Sequence, residues 1–576
     1  MIFQYIRAMK KIIALIFICV CAALFNTTVI AQITTADSLN TYSEKADLPL
    51  LGKVWGFLKY HHPNITKGQF NWDQQLIGVL PAYTATNDKA GRDKVLLKWI
   101  NDLGVVPAYP ATDSVITDVK LKPDLEWISS ANFSAELLRI LNNLKHNHSQ
   151  ADQRYVKFIS DDDVVMPFIV NELSYSTMRY PAYSYRLLAA FRYWNIIAYW
   201  YPYKHLAKQD WDKYLKQLTH EALAARNETE YVHFVQSMVA SIKDSHATIN
   251  SASLAQVKGK YQMPFIVKII QNKAVINTIA PSLANGLNIK RGYILESVND
   301  VPVIKLINEL KPYVSASTDA SVLRETGKLI TRGKDSVSRV VVTDNNNRQQ
   351  SLIVRNIPYF PPIPVELDFP YQKDSSYYVM KGGVLYINVG GIKREQIPLL
   401  KPILKTVKGV VFDGRQYPGT GAQADVYSEL FFPHKIPFIK FSGAVKGYPG
   451  IFKFSKPIIV GAENPDYYKG KVAILVNQET QSGGEFFAIF IKLIPHAIVV
   501  GSETSGADGS VPPAFTLPGG FNTQLTAIGA YHPDGRETQQ IGVVPDVKIS
   551  QTINGFREHK DELLDKAVEV ILSGKK

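Results

Sequence analysis

A chain of 576 residues is longer than one hydrophobic core can organise, so several domains are expected. Its 46% hydrophobic and 20% charged residues exclude a wholly disordered polypeptide. The formal charge of +13 comes from 64 Lys and Arg against 51 Asp and Glu, spread without a basic block or nucleic-acid motif, which argues for a solvated surface and against a nucleic-acid partner.

Residues 1–31 read as an export signal. Arg7, Lys10 and Lys11 form a positive start, Ile12 to Leu24 an apolar stretch, and Val29-Ile30-Ala31 a small-residue cleavage site. The apolar run is short for a membrane span, and no later stretch is long and apolar enough for a stable one. Removing the signal leaves 61 basic and 51 acidic residues, a charge of +10. Both cysteines, Cys19 and Cys21, fall inside it, so the mature chain would have no disulfide, thiolate metal site or cysteine nucleophile. The expected location is the periplasm or the exterior.

Residues 32–257 are predicted to be largely helical and contain a duplication. Trp55, Tyr60, Pro63, Trp72 and Asp73 recur as Trp194, Tyr199, Pro202, Trp211 and Asp212, always 139 residues later (194 less 55). One repeat seen twice suggests duplicated helical hairpins rather than a solenoid. Its aromatics are expected to pack helices together, with a carbohydrate or peptide platform as the alternative. Residues 150–185, rich in Asp, Ser, Tyr and Pro, read as a connector. His61-His62 and His146/His148 lack the rest of a ligand set and are read as surface or boundary residues, so no metal or other cofactor is expected.

Residues 258–357 change to short β-type runs: FIVKII, KAVINTI, YILESV, RVVVTD and SLIVRN, with one helix-like segment, Ala320 to Leu329. Ala280-Pro281, Gly286-Leu287, Gly292-Tyr293-Ile294 and Val298-Asn299-Asp300 together resemble a PDZ domain, which would bind an extended peptide at a sheet edge. Tyr293 and Asp300 depart from that pattern.

The run PYFPPIP opens the last region, 358–576. Buried-strand runs GGVLYINVGG, KGVVFDG, KVAILVN and AIVVGSE alternate with helices near 421–431 and 484–493, which predicts an α/β domain with a partly parallel sheet covered on both faces. In KVAILVNQETQSGGEFF the strand runs into a polar turn and then a helix, placing Ser482 just before the first helical turn. Unpaired amides and the helix dipole favour developing negative charge there, and Gly483 and Gly484 leave room for a substrate carbonyl. From this window alone a simple N-cap is the plainer reading.

Three further loops change that reading. DGRQYPG, QSGGE, VGSETSG and IGVVPDV, in this order, resemble the C-terminal processing and tricorn-type serine peptidases. The resemblance spans residues 240 to 550 and implies a ClpP/crotonase-like core, a peptide or protein substrate, and Ser482 as nucleophile. It also implies an oxyanion hole formed by the amides of Gly483 and Gly419. The processing branch uses a lysine in a Gly-Lys-Gly turn, but this chain has Gly506-Ala507-Asp508, and Lys492 is expected to extend away from its helix. The tricorn branch instead implies Ser245-His246, from VASIKDSHATI, with His246 as general base. Where that branch has a glutamate this chain has Gln539. Glu537 is the nearest acid, two residues away and on the same side if the segment is a strand. Asp244 is another candidate to orient the histidine. The expected activity is serine endopeptidase chemistry. A binding protein without turnover on the same scaffold is the alternative, and carbohydrate binding ranks last.

Overall fold

The computed structural model describes residues 47–106, 116–146, 153–161, 163–207, 210–280, 288–363 and 376–573. The export signal, both cysteines, His148, residues 281–287 of the PDZ-like pattern and residue 364 lie outside the described residues.

Trp55 lies on the helix Leu48–His61 and Trp194 on the helix Tyr183–Trp200. Trp55 and Trp72 each donate their indole N–H to the other's carbonyl, at 3.1 and 3.0 Å. Trp194 and Trp211 repeat the exchange at 2.7 and 3.2 Å. The acid of each Trp-Asp pair reaches across to the other copy: Asp73 meets Arg192 at 2.7 Å, and Asp212 meets Lys53 at 2.5 Å. Tyr60 and Tyr199 pack edge to face at 5.3 Å. Gly56 allows the close crossing, because a Cβ there would stand 1.8 Å from the Asn195 side chain. Trp55 is fully buried and cannot serve as a saccharide platform, whereas Trp194 borders a cavity of about 280 Å³ with Trp127, Trp211 and Lys204.

Two expectations need correction. His61, the last residue of the buried helix Leu48–His61, and His62, which caps it, are both buried; the His61 ring stacks on Phe57 at 4.3 Å. His146 is exposed. The stretch read as a connector holds an antiparallel hairpin, Val156–Asp161 with Val164–Ile169, whose β-branched residues suit pairing.

The middle region forms a sheet in the order Gln349–Arg355, Val337–Thr343, Ile294–Val298, Lys273–Ile279, Phe265–Ile270, with Val301–Pro302 beside the central strand. The expected helix spans Asp319–Ile330 and lies along the edge strand Phe265–Ile270; a Cβ on its Gly327 would stand 3.5 Å from Ile269. A further helix, Val303–Leu310, is an addition to the sequence reading.

The last region is built on a six-stranded sheet: Tyr377–Met380, Val384–Asn388, Gly409–Asp413, Lys471–Val476, Ile498–Gly501 and Val547–Lys548. All neighbours are parallel except the first pair. Alternate residues serve opposite layers. Ile387, Phe412 and Ile474 pack toward the helix Gly483–Lys492, while Val411, Ala473 and Leu475 pack toward Glu562–Ser573. Burial on both faces accounts for the nearly unbroken apolar runs in the sequence.

Short strands from the helical region join sheets of this last region. Val119–Leu121 pairs with Phe452–Phe454, and Ile249–Asn250 pairs with Phe521–Thr523. The second pairing starts three residues after His246.

Candidate active site

Ser482 caps the helix Gly483–Lys492 with φ 55° and ψ −120°, a conformation that costs a residue with a Cβ on the order of 1–3 kcal/mol. Its surroundings hold it there. The Ser482 amide donates to the Ala507 carbonyl at 2.9 Å and also lies 3.3 Å from Glu485 Oε2. Glu485, one turn into the helix and buried, accepts from the amides of Gly506 at 2.7 Å and Ala507 at 2.9 Å and from the Thr504 hydroxyl. A Cβ on Gly542 would fall 2.6 Å from Glu485 Oε1, so only glycine leaves space for that carboxylate. Burial raises the Glu485 carboxyl, partly offset by these hydrogen bonds. Where the processing branch has its lysine, Ala507 thus contributes only backbone. Lys492 is directed away and pairs with Asp546.

The loop 504–508 also bonds to residues of the helical, middle and C-terminal regions. Ser505 carbonyl accepts from the Ser245 hydroxyl at 3.5 Å, Thr504 carbonyl from Thr318 at 2.9 Å, and Gly506 carbonyl from the Gln540 amide at 2.7 Å. The Ser482 amide and Ser245 Oγ therefore sit on carbonyls two residues apart, which limits their separation to roughly 14 Å. Ser245 is fixed by a reciprocal pair with Ser317, at 2.8 and 2.9 Å.

His246 is buried. Its Nδ1 lies 3.0 Å from Thr526 Oγ1 and 3.7 Å from Asp244 Oδ1. Asp244 is fully buried and accepts from the His246 amide at 2.9 Å, the Thr526 amide at 2.9 Å and Gln539 Nε2 at 3.4 Å. The pairing of 249–250 with 521–523 supplies the alignment, reinforced by Thr523 donating to the Thr248 carbonyl at 2.8 Å. Thr526 and Ser317 were missed in the sequence, where isolated hydroxyl residues carry no pattern.

Two expected residues are placed otherwise. Glu537 does not meet His246; its Oε1 takes Lys120 at 2.8 Å and His205 at 2.7 Å. Burial alone would raise its carboxyl, but these two partners outweigh it and hold it below the ordinary value. The neutral Gln539 faces Asp244 instead. The Gly419 amide donates to the Val389 carbonyl at 3.0 Å and is therefore not a free oxyanion donor, whereas the Gly483 amide has no acceptor among the described residues.

Beside the loop 504–508 a cleft of about 840 Å³ opens between the helical region and the middle sheet. Ile269, Ile307, Val322 and Leu323 give it apolar walls, and Ser317 and Gln540 line it as well. Among the described residues no helix is long and apolar enough to cross a membrane.

Comparison with known proteins places this arrangement. A protein of Chlamydia trachomatis serovar D (strain ATCC VR-885 / DSM 19411 / UW-3/Cx) is 31% identical over 107 residues, which is 18% of each chain, so the match spans under a fifth of that relative. The fold is shared with mature CPAF: TM-score 0.52, 14% identity, 68% of this chain and 98% of that one. Mature CPAF complexed with lactacystin gives 0.51, 13%, 67% and 98%. Residues 386–549, which carry Ser482 and the loops around it, match the family model Peptidase family S41. The C-terminal α/β region of this chain is thus similar to Peptidase family S41.

Proposed function

We propose that the protein is an exported serine endopeptidase of the histidine-using, tricorn-like type, working through an acyl-enzyme on Ser482. The observation that carries this reading is the Ser482 backbone at φ 55°, held at a strand-to-helix turn by Glu485 and Ala507. That is the strained geometry of a nucleophile elbow. With Nδ1 engaged by Thr526 and Asp244, His246 Nε2 is the atom to take the Ser482 proton and return it to the leaving amine. The Gly483 amide serves the oxyanion. Ser245 acts as a positioning residue, tying the histidine loop to the 504–508 loop. The signal-like residues 1–31 support export, and the edge strand Phe265–Ile270 beside its helix supports PDZ-like presentation of an extended chain.

A second reading, a binding protein without turnover, draws on Gln539 standing where the resemblance implies a glutamate. A fluorophosphonate probe separates the two. Labelling of Ser482 that disappears in Ser482→Ala, together with loss of peptide hydrolysis, is the expected result. A folded protein that neither labels nor hydrolyses would decide for binding.

A further inference from the structure

One oxyanion donor follows from the nucleophile turn, but the glycine expected to supply the other has its amide bonded to Val389. The same loop offers a replacement. Tyr417, two residues before Gly419, is 69% exposed, yet its hydroxyl lies over the start of the nucleophile helix. The phenol oxygen is 3.5 Å, and the ring carbon bearing it 3.8 Å, from where a Cβ on Gly483 would stand. A glycine nitrogen is about 2.5 Å from that point, so the phenol oxygen and the Gly483 amide are separated by no more than about 6 Å. An oxygen held at ~2.7–3.1 Å by two donors about 110–120° apart spans a gap of roughly 4.5–5.4 Å, which lies within that bound.

The placement is built rather than incidental. The loop begins at Gly414, whose amide is bonded to the Leu475 carbonyl at 3.0 Å and whose carbonyl accepts from Thr480 at 2.9 Å. It closes at Gly419 and Gly421, bonded to Val389 and Ile392, each at 3.0 Å. Pro418 rests 3.8 Å from the Cβ position of Gly484. The bond that commits the Gly419 amide to Val389 thus belongs to the scaffold that sets Tyr417 in place.

We propose that the Tyr417 hydroxyl is a catalytic residue, the second hydrogen-bond donor to the oxyanion; this rests on the Ser482 acyl-enzyme reading. As Ser482 Oγ bonds to the substrate carbonyl carbon, its proton passes to His246 and the carbonyl π electrons move onto oxygen. That oxygen accepts from the Gly483 N–H and the Tyr417 O–H, and neither proton is transferred. Collapse restores the carbonyl, the carbon–nitrogen bond breaks, and the departing nitrogen takes the proton from His246.

The test is Tyr417→Phe, which keeps the ring and removes only the donor at an exposed site. Peptide hydrolysis and affinity for a peptide aldehyde, which forms a tetrahedral adduct, are measured beside Ser482→Ala. The expected result is a ~100-fold or larger fall in kcat with KM changed less than about threefold. Affinity for the aldehyde should fall in parallel, and affinity for a non-reactive product peptide should not. A ring that only packs on Gly483 would leave the aldehyde and the product peptide in step. Wild-type kcat in Tyr417→Phe, with Ser482→Ala inactive, overturns the assignment and leaves the Ser482 mechanism standing. Hydrolysis that survives Ser482→Ala, or a wild-type protein with no turnover, overturns both.

Discussion

His246 and His205 each bring a ring nitrogen against an oxygen near the C-terminal end of the chain, and their settings differ in kind. At His246 the near partner is a neutral hydroxyl, Thr526, and the carboxylate behind it, Asp244, is buried among three neutral donors. At His205 the partner is a carboxylate, Glu537, which also holds Lys120. Ion pairs among Lys120, His205 and Glu537 fasten distant segments of the chain. A general base needs one nitrogen positioned and the other uncommitted. Each histidine has one ring nitrogen engaged, and what sets His246 apart is its neighbour Ser245, whose hydroxyl bonds the Ser505 carbonyl of the loop that also holds the Ser482 amide.

Replacing each histidine by alanine is the most severe way to break the comparison. His246→Ala should reduce kcat about 10³-fold, in the range of a lost general base, while a fluorophosphonate labels Ser482 far more slowly. His205→Ala should leave kcat within about threefold and lower the melting temperature slightly. Equal losses from the two variants would mean that both clusters serve only the fold.

The carboxylates come next in expected effect. Asp244→Asn turns an acceptor into a donor facing the backbone amide of Thr526 or His246, which leaves a buried group unsatisfied at a cost of about 1–3 kcal/mol. Both melting temperature and kcat should fall. Glu537→Gln loses a partly exposed ion pair worth up to about 1 kcal/mol and should leave kcat unchanged. A kcat loss in Glu537→Gln larger than in Asp244→Asn would restore Glu537 as the residue that orients the histidine.

The exchange of Glu537 for Gln539 also shows what the sequence could and could not reveal. Alternation puts residues 537 and 539 on one side only if the segment stays extended. It does not: the amides of Ile541 and Gly542 both turn back onto the Thr538 carbonyl, at 3.3 and 2.8 Å, and Gln540 has φ 61°. Gly419 failed as an oxyanion donor for a related reason, since a glycine-rich turn does not disclose where its amides bond. The central strands were legible because burial on both faces leaves long apolar runs. The strands 119–121 and 249–250 were not, being two or three residues long and completed by partners hundreds of residues away.

The smallest expected effect is in pH dependence, where two carboxyls should act with opposite sign. Burial, and then the neighbouring Glu485 charge, raise Asp508 to about 8, and its Oδ2 is buried without a hydrogen-bond partner. Unfolded, the group ionises near ~3.9, so between those values the native state binds the proton and the unfolded state does not. Its contribution is present at low pH and is lost as pH rises toward 8. Glu537, held below its ordinary value, does the reverse: its contribution is present above ~4.3 and is lost as pH falls through the lowered value. Melting temperatures should therefore peak near pH ~4, falling below it and declining from there toward pH 8. Asp508→Asn should flatten the alkaline side and Glu537→Gln the acid side. An alkaline decline that persists in Asp508→Asn would mean that Asp508 is already ionised in the native loop, and that Glu485 holds the turn beside Ser482 against a second charge.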